Sequence, residues 1–125
     1  MTPLNVLVVE DNDLNRKLVR EILRHGGHHI VEAVDVGEAR ARMAEAVPDV
    51  VLMDIEIPGG GGELLLAEMR AERRLALVPV VAVTAAAMVG DRERLLRQRF
   101  DGYISKPIDT RTFCREVESY APGRK

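Results

Sequence analysis

A single cysteine, Cys114, is all that the 125-residue sequence contains. An intrachain disulfide framework is therefore impossible, and a zinc site built on cysteines has no ligand set. One unpaired thiol suits a reducing compartment. Aromatic residues make up 3% against 46% hydrophobic, so the core must be aliphatic. The net charge is −2, without the basic excess that nucleic-acid binding by bulk electrostatics uses. No apolar stretch approaches the ~20 residues that span a bilayer. Met1-Thr2-Pro3-Leu4 lacks the charged and apolar regions of a signal peptide. The expectation is a soluble cytoplasmic protein with neither membrane nor nucleic acid as a partner. Its length fits one domain over 1–125, with a core of about 4–120, and leaves no room for a second.

What is present is an alternation of short apolar runs with amphipathic segments. Leu4–Val9, Asp49–Met53 and Val78–Val83 are Val-rich runs that read as strands buried on both faces. His29–Ala33 and Tyr103–Ser105 are shorter strand candidates. Between them, Leu14, Leu18, Ile22 and Leu23 recur at helical spacing, with Asn12 or Asp13 as cap and Gly26-Gly27 as stop. Helices are predicted over Val36–Ala46 behind Asp35, over Glu63–Ala71 behind the loop Pro58–Gly62, and over Ala87–Arg99. A last helix, capped by Asp109, carries Phe113, Val117 and Tyr120 on one side. Strand and helix thus alternate five times, which predicts an α/β fold: a doubly wound parallel (βα)5 sheet of flavodoxin-like order 2-1-3-4-5. In such folds ligands sit beyond the carboxyl ends of the strands, where strands 1 and 3 part.

The residues that end the strands share one character. Strand 1 runs into Glu10-Asp11, strand 3 into Asp54, strand 4 into Thr84 and strand 5 into Lys106-Pro107. Three carboxylates gathered at one rim repel and raise one another's pKa values, and a hard divalent cation resolves that conflict. Mg²⁺ takes oxygen ligands and keeps several waters. Glu10 and Asp11 are its candidate ligands, with Asp11 expected closer. Lys106 supplies a fixed ammonium and Thr84 a hydroxyl, a set that suits phosphoryl oxygens. Asp54 then has the role of nucleophile, forming an acyl phosphate.

Val8-Val9-Glu10-Asp11-Asn12, Leu52-Met53-Asp54 with Pro58, Val83-Thr84-Ala85 and Ser105-Lys106-Pro107 together resemble the receiver domain of response regulators. The likeness runs in order over nearly the whole chain. Val9–Asn15, Val81–Met88 and Tyr103–Ile108 especially resemble DivK-type single-domain regulators of bacterial cell-division control. The resemblance implies Asp54 as phosphoacceptor and Mg²⁺ as cofactor, held by Glu10, Asp11, Asp54 and the carbonyl of Glu56. It implies Thr84 and Lys106 on the phosphoryl group, and Tyr103 as an aromatic switch that follows Thr84. Phosphate would come from a histidine kinase or a histidine phosphotransfer protein. Output would pass to a protein target through the face formed by the fourth helix, fifth strand and fifth helix, from a monomer or weak homodimer, with no enzymatic turnover. Two departures stand out: Gly61-Gly62 replaces an Asp-Gly pair, and Arg99 stands where a glycine is usual before strand 5. Glu56 and Ala86 occupy the places expected to set the lifetime of the phosphoryl group.

Plainer readings stand beside these. Alone, Glu10-Asp11 is a helix-capping pair, Thr84 a strand-end hydroxyl, Lys106 a solvated lysine and Tyr103 a packed ring. His25, His28 and His29 read as a solvated turn, Cys114 as a small buried residue, and Asp91–Arg99 as a solvated face or docking surface. A dehalogenase-like phosphatase shares the Asp nucleophile but places it after its first strand. A receiver excised from a hybrid histidine kinase would share every motif; the Met1 start and short tail favour a complete protein.

Overall fold

Valine dominates three of the five runs, and in the computed structural model, which describes residues 3–85, 93, 94, 97 and 99–121, each of the five forms a parallel strand. They are β1 (Asn5–Val9), β2 (His29–Ala33), β3 (Val50–Met53), β4 (Val80–Thr84) and β5 (Gly102–Ser105), in the order β2-β1-β3-β4-β5. The described helices are α1 (Asp13–His25), α2 (Val36–Glu45), α3 (Gly61–Ala71) and α4 (Phe113–Tyr120). The helix expected over Ala87–Arg99 lies outside the described residues except at 93, 94, 97 and 99, as does Ala86.

Alternation along each strand divides the core in two. Leu7, Val9, Val51, Met53, Val80 and Ala82 pack on one face under α2 and α3, with Val36, Met43, Leu65 and Met69. Val6, Val8, Val50, Leu52, Val81 and Val83 pack on the other face with Val19, Leu23, Phe113 and Val117 of α1 and α4. Both faces of the inner strands β1, β3 and β4 are covered, which is why their runs are almost wholly apolar, whereas the edge strand β2 carries His29 and Glu32. The register aligns Val9 with Ala33 and with Met53, so Glu10 and Asp54 leave the sheet at the same level.

Local chemistry sets the helix ends. Asn12 Oδ1 accepts from Asn15 N at 2.9 Å, and Asp35 Oδ1 accepts from Glu38 N at 2.7 Å, satisfying N-terminal amides. Three expectations are corrected. Asp109 caps a turn over 110–112 and not α4, whose N-cap is Thr112, its hydroxyl donating to Glu116 Oε1 at 3.0 Å and not capping a backbone amide. α3 begins at Gly61, two residues ahead of Glu63, so Gly62 is helical. The predicted stripe of α1 is split: Leu23 is buried and Ile22 half-buried, whereas Leu14 is 79% and Leu18 37% exposed, and Val19 takes their place in the core.

The histidines also depart from the sequence reading. His28 is buried, not solvated. Its Nδ1 accepts from Leu4 N at 3.0 Å and its Nε2 lies 2.7 Å from Glu118 Oε2 of α4. Because Nδ1 is an acceptor, the ring carries its proton on Nε2 and donates it to the carboxylate. Cys114 Sγ, half-buried, donates to the same oxygen at 3.5 Å. His28 and Cys114 with Glu118 bring three metal-ligand types together, but both ring nitrogens of His28 are engaged, leaving no lone pair for an ion. The trio joins the amino ends of β1 and β2 to α4.

Candidate functional site

Parallel pairing carries the acidic residues to one rim. Glu10 N donates to Ala33 O at 2.9 Å and Asp54 N to Val9 O at 3.0 Å, the last rungs on either side of β1. Beyond those rungs the chain turns away, and the side chains converge. Carboxylate oxygens of Glu10, Asp11 and Asp54 all lie within 4.8 Å of one another. Lys106 Nζ bridges two of them, at 2.7 Å from Glu10 Oε1 and 2.9 Å from Asp54 Oδ2. Its backbone N donates to Thr84 O at 2.9 Å, which ties the β5 exit to β4, and the Lys106-Pro107 peptide is cis.

The remaining oxygens have backbone partners. Glu10 Oε2 accepts from Asn12 N at 3.1 Å, and Asp54 Oδ1 accepts from Glu56 N at 3.0 Å. Asp11 is exposed and has no hydrogen-bond or ion-pair partner among the described residues. Glu10, Asp11, Asn12, Asp13, Leu14, Asn15, Asp54 and Lys106 line an open depression of about 570 Å³.

Burial holds the Glu10 carboxyl above its ordinary value, and the like charge of Asp54 adds to this against the pull of Lys106 and the Asn12 amide. Burial pulls the Lys106 ammonium down, but its hydrogen bonds to Glu10 and Asp54 outweigh that and leave it above the usual lysine value. Three carboxylates and one ammonium leave two uncompensated negative charges in a partly desolvated rim. All the free acceptors are hard oxygens. A divalent oxygen-seeking cation such as Mg²⁺ fits that set in charge and in kind.

The expected residues are placed unequally. Glu10, Asp11, Asp54 and Lys106 meet at the depression. Thr84, buried and in register with Ser105, sits at the neighbouring strand end. Glu56 is exposed and reaches the site through its amide, donating to Asp54, and not as a lining side chain. Tyr103 is half-buried and packs with Ile55 against the cluster under α2 and α3. Arg99 is left-handed at φ 76°, a conformation that carries a steric cost for a residue with a Cβ.

Sequence reading missed two supports. Asn12, a candidate helix cap in the sequence, also donates its amide to Glu10; its place in the acidic turn was a usable signal. Arg16 donates from Nη1 to Glu10 O at 3.1 Å and from Nε to Glu32 Oε1 at 3.1 Å. No sequence spacing announces that contact, because Glu32 belongs to another strand.

The doubly wound parallel sheet thus carries an acidic triad and a lysine at its carboxyl rim, with Asp54 after β3 and not after the first strand. Residues 6–118 match the response regulator receiver domain family, and the chain belongs to it. It is 38% identical over 118 residues to the polar-differentiation response regulator DivK of Brucella anthropi, covering 94% of this chain and 96% of that protein. The receiver domain of a sensor histidine kinase of Pseudomonas aeruginosa, solved with a magnesium ion in its active-site cleft, shares 29% identity at a TM-score of 0.85, covering 95% and 98% of the two chains. A response regulator structure from Chloroflexus aurantiacus superposes at a TM-score of 0.89 with 22% identity, a likeness of fold. The chain is thus a receiver of phosphorelay signal transduction, akin to single-domain regulators. No helix among the described residues is long and apolar enough to cross a membrane.

Proposed function

We infer that Asp54 is the phosphoacceptor of this receiver. The carrying observation is the pairing of Asp54 Oδ2 with Lys106 Nζ at 2.9 Å inside a three-carboxylate rim. An Asp54 oxygen attacks the phosphorus of a phosphohistidine or small acyl phosphate donor. One P–O bond forms, the bond from phosphorus to the donor breaks, and the donor leaves with its electron pair. Lys106 stays beside the new phosphoryl oxygens as a fixed counter-charge, and Thr84 donates its hydroxyl to one of them.

Glu10, Asp11 and Asp54, with the carbonyl of Glu56, would hold Mg²⁺. When bound, the cation supplies charge neutralisation on the phosphoryl oxygens. The magnesium-bound cleft of the Pseudomonas receiver supports this reading by analogy. The Glu56 carboxylate, two residues past Asp54 and exposed, influences dephosphorylation more than cation binding by positioning or repelling an attacking water.

The whole chain acts as one receiver domain in the cytoplasm, taking phosphate from a histidine kinase or phosphotransfer protein. Tyr103 and Thr84 form its switch, and β5, α4 and the segment before β5 form its output face toward a protein target. The likeness to DivK supports a role in the control of bacterial cell polarity or division. The test is intact mass after incubation with acetyl phosphate. One added phosphoryl group that requires both Mg²⁺ and Asp54 is expected. Modification that persists in Asp54→Asn, or that ignores Mg²⁺, would overturn the assignment.

A further inference from the structure

Among the three acidic side chains of the rim, Asp11 alone has no partner at its own oxygens among the described residues. Glu10 and Asp54 are each pinned by Lys106 and by a backbone amide. The direction of the Asp11 carboxylate is therefore set by the backbone that carries it. That backbone lies one residue past the final rung of β1, where Glu10 N still donates to Ala33 O at 2.9 Å. The Glu10 carbonyl has turned out of the ladder. Its donor is Arg16, whose Nη1 lies 3.1 Å away.

Arg16 is itself immobilised. Its Nε donates to Glu32 Oε1 of β2 at 3.1 Å, and its Nη2 to Asp13 Oδ1 at 2.6 Å. Glu32 is held in turn by Arg20 Nη1 at 3.0 Å. One guanidinium thus ties the end of β1, the start of α1 and the edge strand β2 into a single frame around the Glu10–Asp11 peptide. The planar fork of arginine reaches three partners at once, which the single ammonium of lysine does not.

Resting on the reading of this rim as a divalent-cation site, we propose that Arg16 is a positioning residue for that site: by fixing the Glu10–Asp11 peptide it aims the Asp11 carboxylate at the cation. The sign of its effect separates this role from simple electrostatics. Removing a positive charge near an acidic rim should, by charge alone, tighten cation binding. Removing a positioning group should weaken it.

The experiment is calorimetric titration of Mg²⁺ into wild type, Arg16→Met, Arg16→Lys and Arg20→Met at fixed ionic strength. It is paired with the Mg²⁺ dependence of phosphorylation by acetyl phosphate. Arg20→Met breaks the same Glu32 network without touching the Glu10 carbonyl, and so controls for loss of stability. Arg16→Met is expected to bind Mg²⁺ roughly tenfold more weakly, with Arg16→Lys also weakened and Arg20→Met unchanged. Phosphorylation at saturating Mg²⁺ should return to the wild-type rate. Unchanged or tighter binding by Arg16→Met, or an equal loss in Arg20→Met, overturns the positioning role. A wild-type chain that takes up no Mg²⁺ overturns instead the cation-site reading beneath it.

Discussion

Glu10 and Lys106 illustrate how single residues hold opposed demands in one place. The folded pKa of Glu10 lies above its ordinary value of 4.5 because the carboxylate is desolvated. The folded state therefore binds the proton more tightly than the unfolded chain, and stability falls as pH rises from 4.5 through the raised value. Lys106, raised above 10.5, bends stability the same way at a higher pH: its contribution is complete below 10.5 and is lost as pH climbs past the folded value. Without divalent cation, Glu10→Gln should raise the neutral-pH melting temperature, while weakening Mg²⁺ uptake. Thermal melts with and without Mg²⁺ check both signs. Arg99 makes a second case. Its left-handed φ of 76° carries a steric cost, and its carbonyl is held by Arg70 Nε at 3.2 Å and Nη2 at 2.9 Å. Arg99→Gly keeps that carbonyl and removes the strain, so urea denaturation should show a gain of about 1 kcal/mol.

At the scale of elements, the approach of α3 to the end of β3 governs the site. Gly59, Gly60 and Gly61 all take positive φ, at 96°, 120° and 85°, to bring the helix in. Glycine at position 61, where the family pattern has aspartate, thereby fits a left-handed backbone. Gly62 then passes so near β3 that a Cβ would stand 2.9 Å from both Asp54 O and Met53 Sδ. Gly62→Ala should push α3 away and cost about 1–3 kcal/mol. Because the obstructing atoms belong to Asp54 and its neighbours, the acetyl phosphate reaction should slow as well. Loss of stability at an unaltered rate would show that the helix alone had moved. These glycines were visible in the sequence as a loop, but which of them needed positive φ and which needed the absence of a side chain depended on where β3 lay.

Across the whole molecule the two ends of the sheet do different work. The carboxyl end gathers charge, and the amino end closes around His28, whose imidazole joins Leu4 N to Glu118. His28→Ala would leave a buried amide and a partly buried carboxylate without that partner, at a cost of about 2–3 kcal/mol. Since this bridge lies at the opposite end of the strands from Asp54, the rate of Asp54 phosphorylation per folded molecule should match wild type. A slowed rate in the folded His28→Ala chain would reveal coupling along the sheet.

What the sequence determined by itself was the strand-and-helix alternation, the order of the sheet and the acidic and basic residues at its rim. The alternation and the rim follow from local causes, namely valine-rich runs, caps such as Asn12 and Asp35, and charged side chains placed directly after strands; the order follows from the flavodoxin-like pattern that five βα units in this length suit. Tertiary structure alone decided the rest. It chose which half of the α1 stripe to bury, took His28 out of solvent, seated Arg16 on the Glu10 carbonyl and made Arg99 left-handed beneath Arg70. Each of these depends on partners far away along the chain, brought within hydrogen-bonding or packing distance only when the sheet closes, and no periodicity in the sequence encodes that distance.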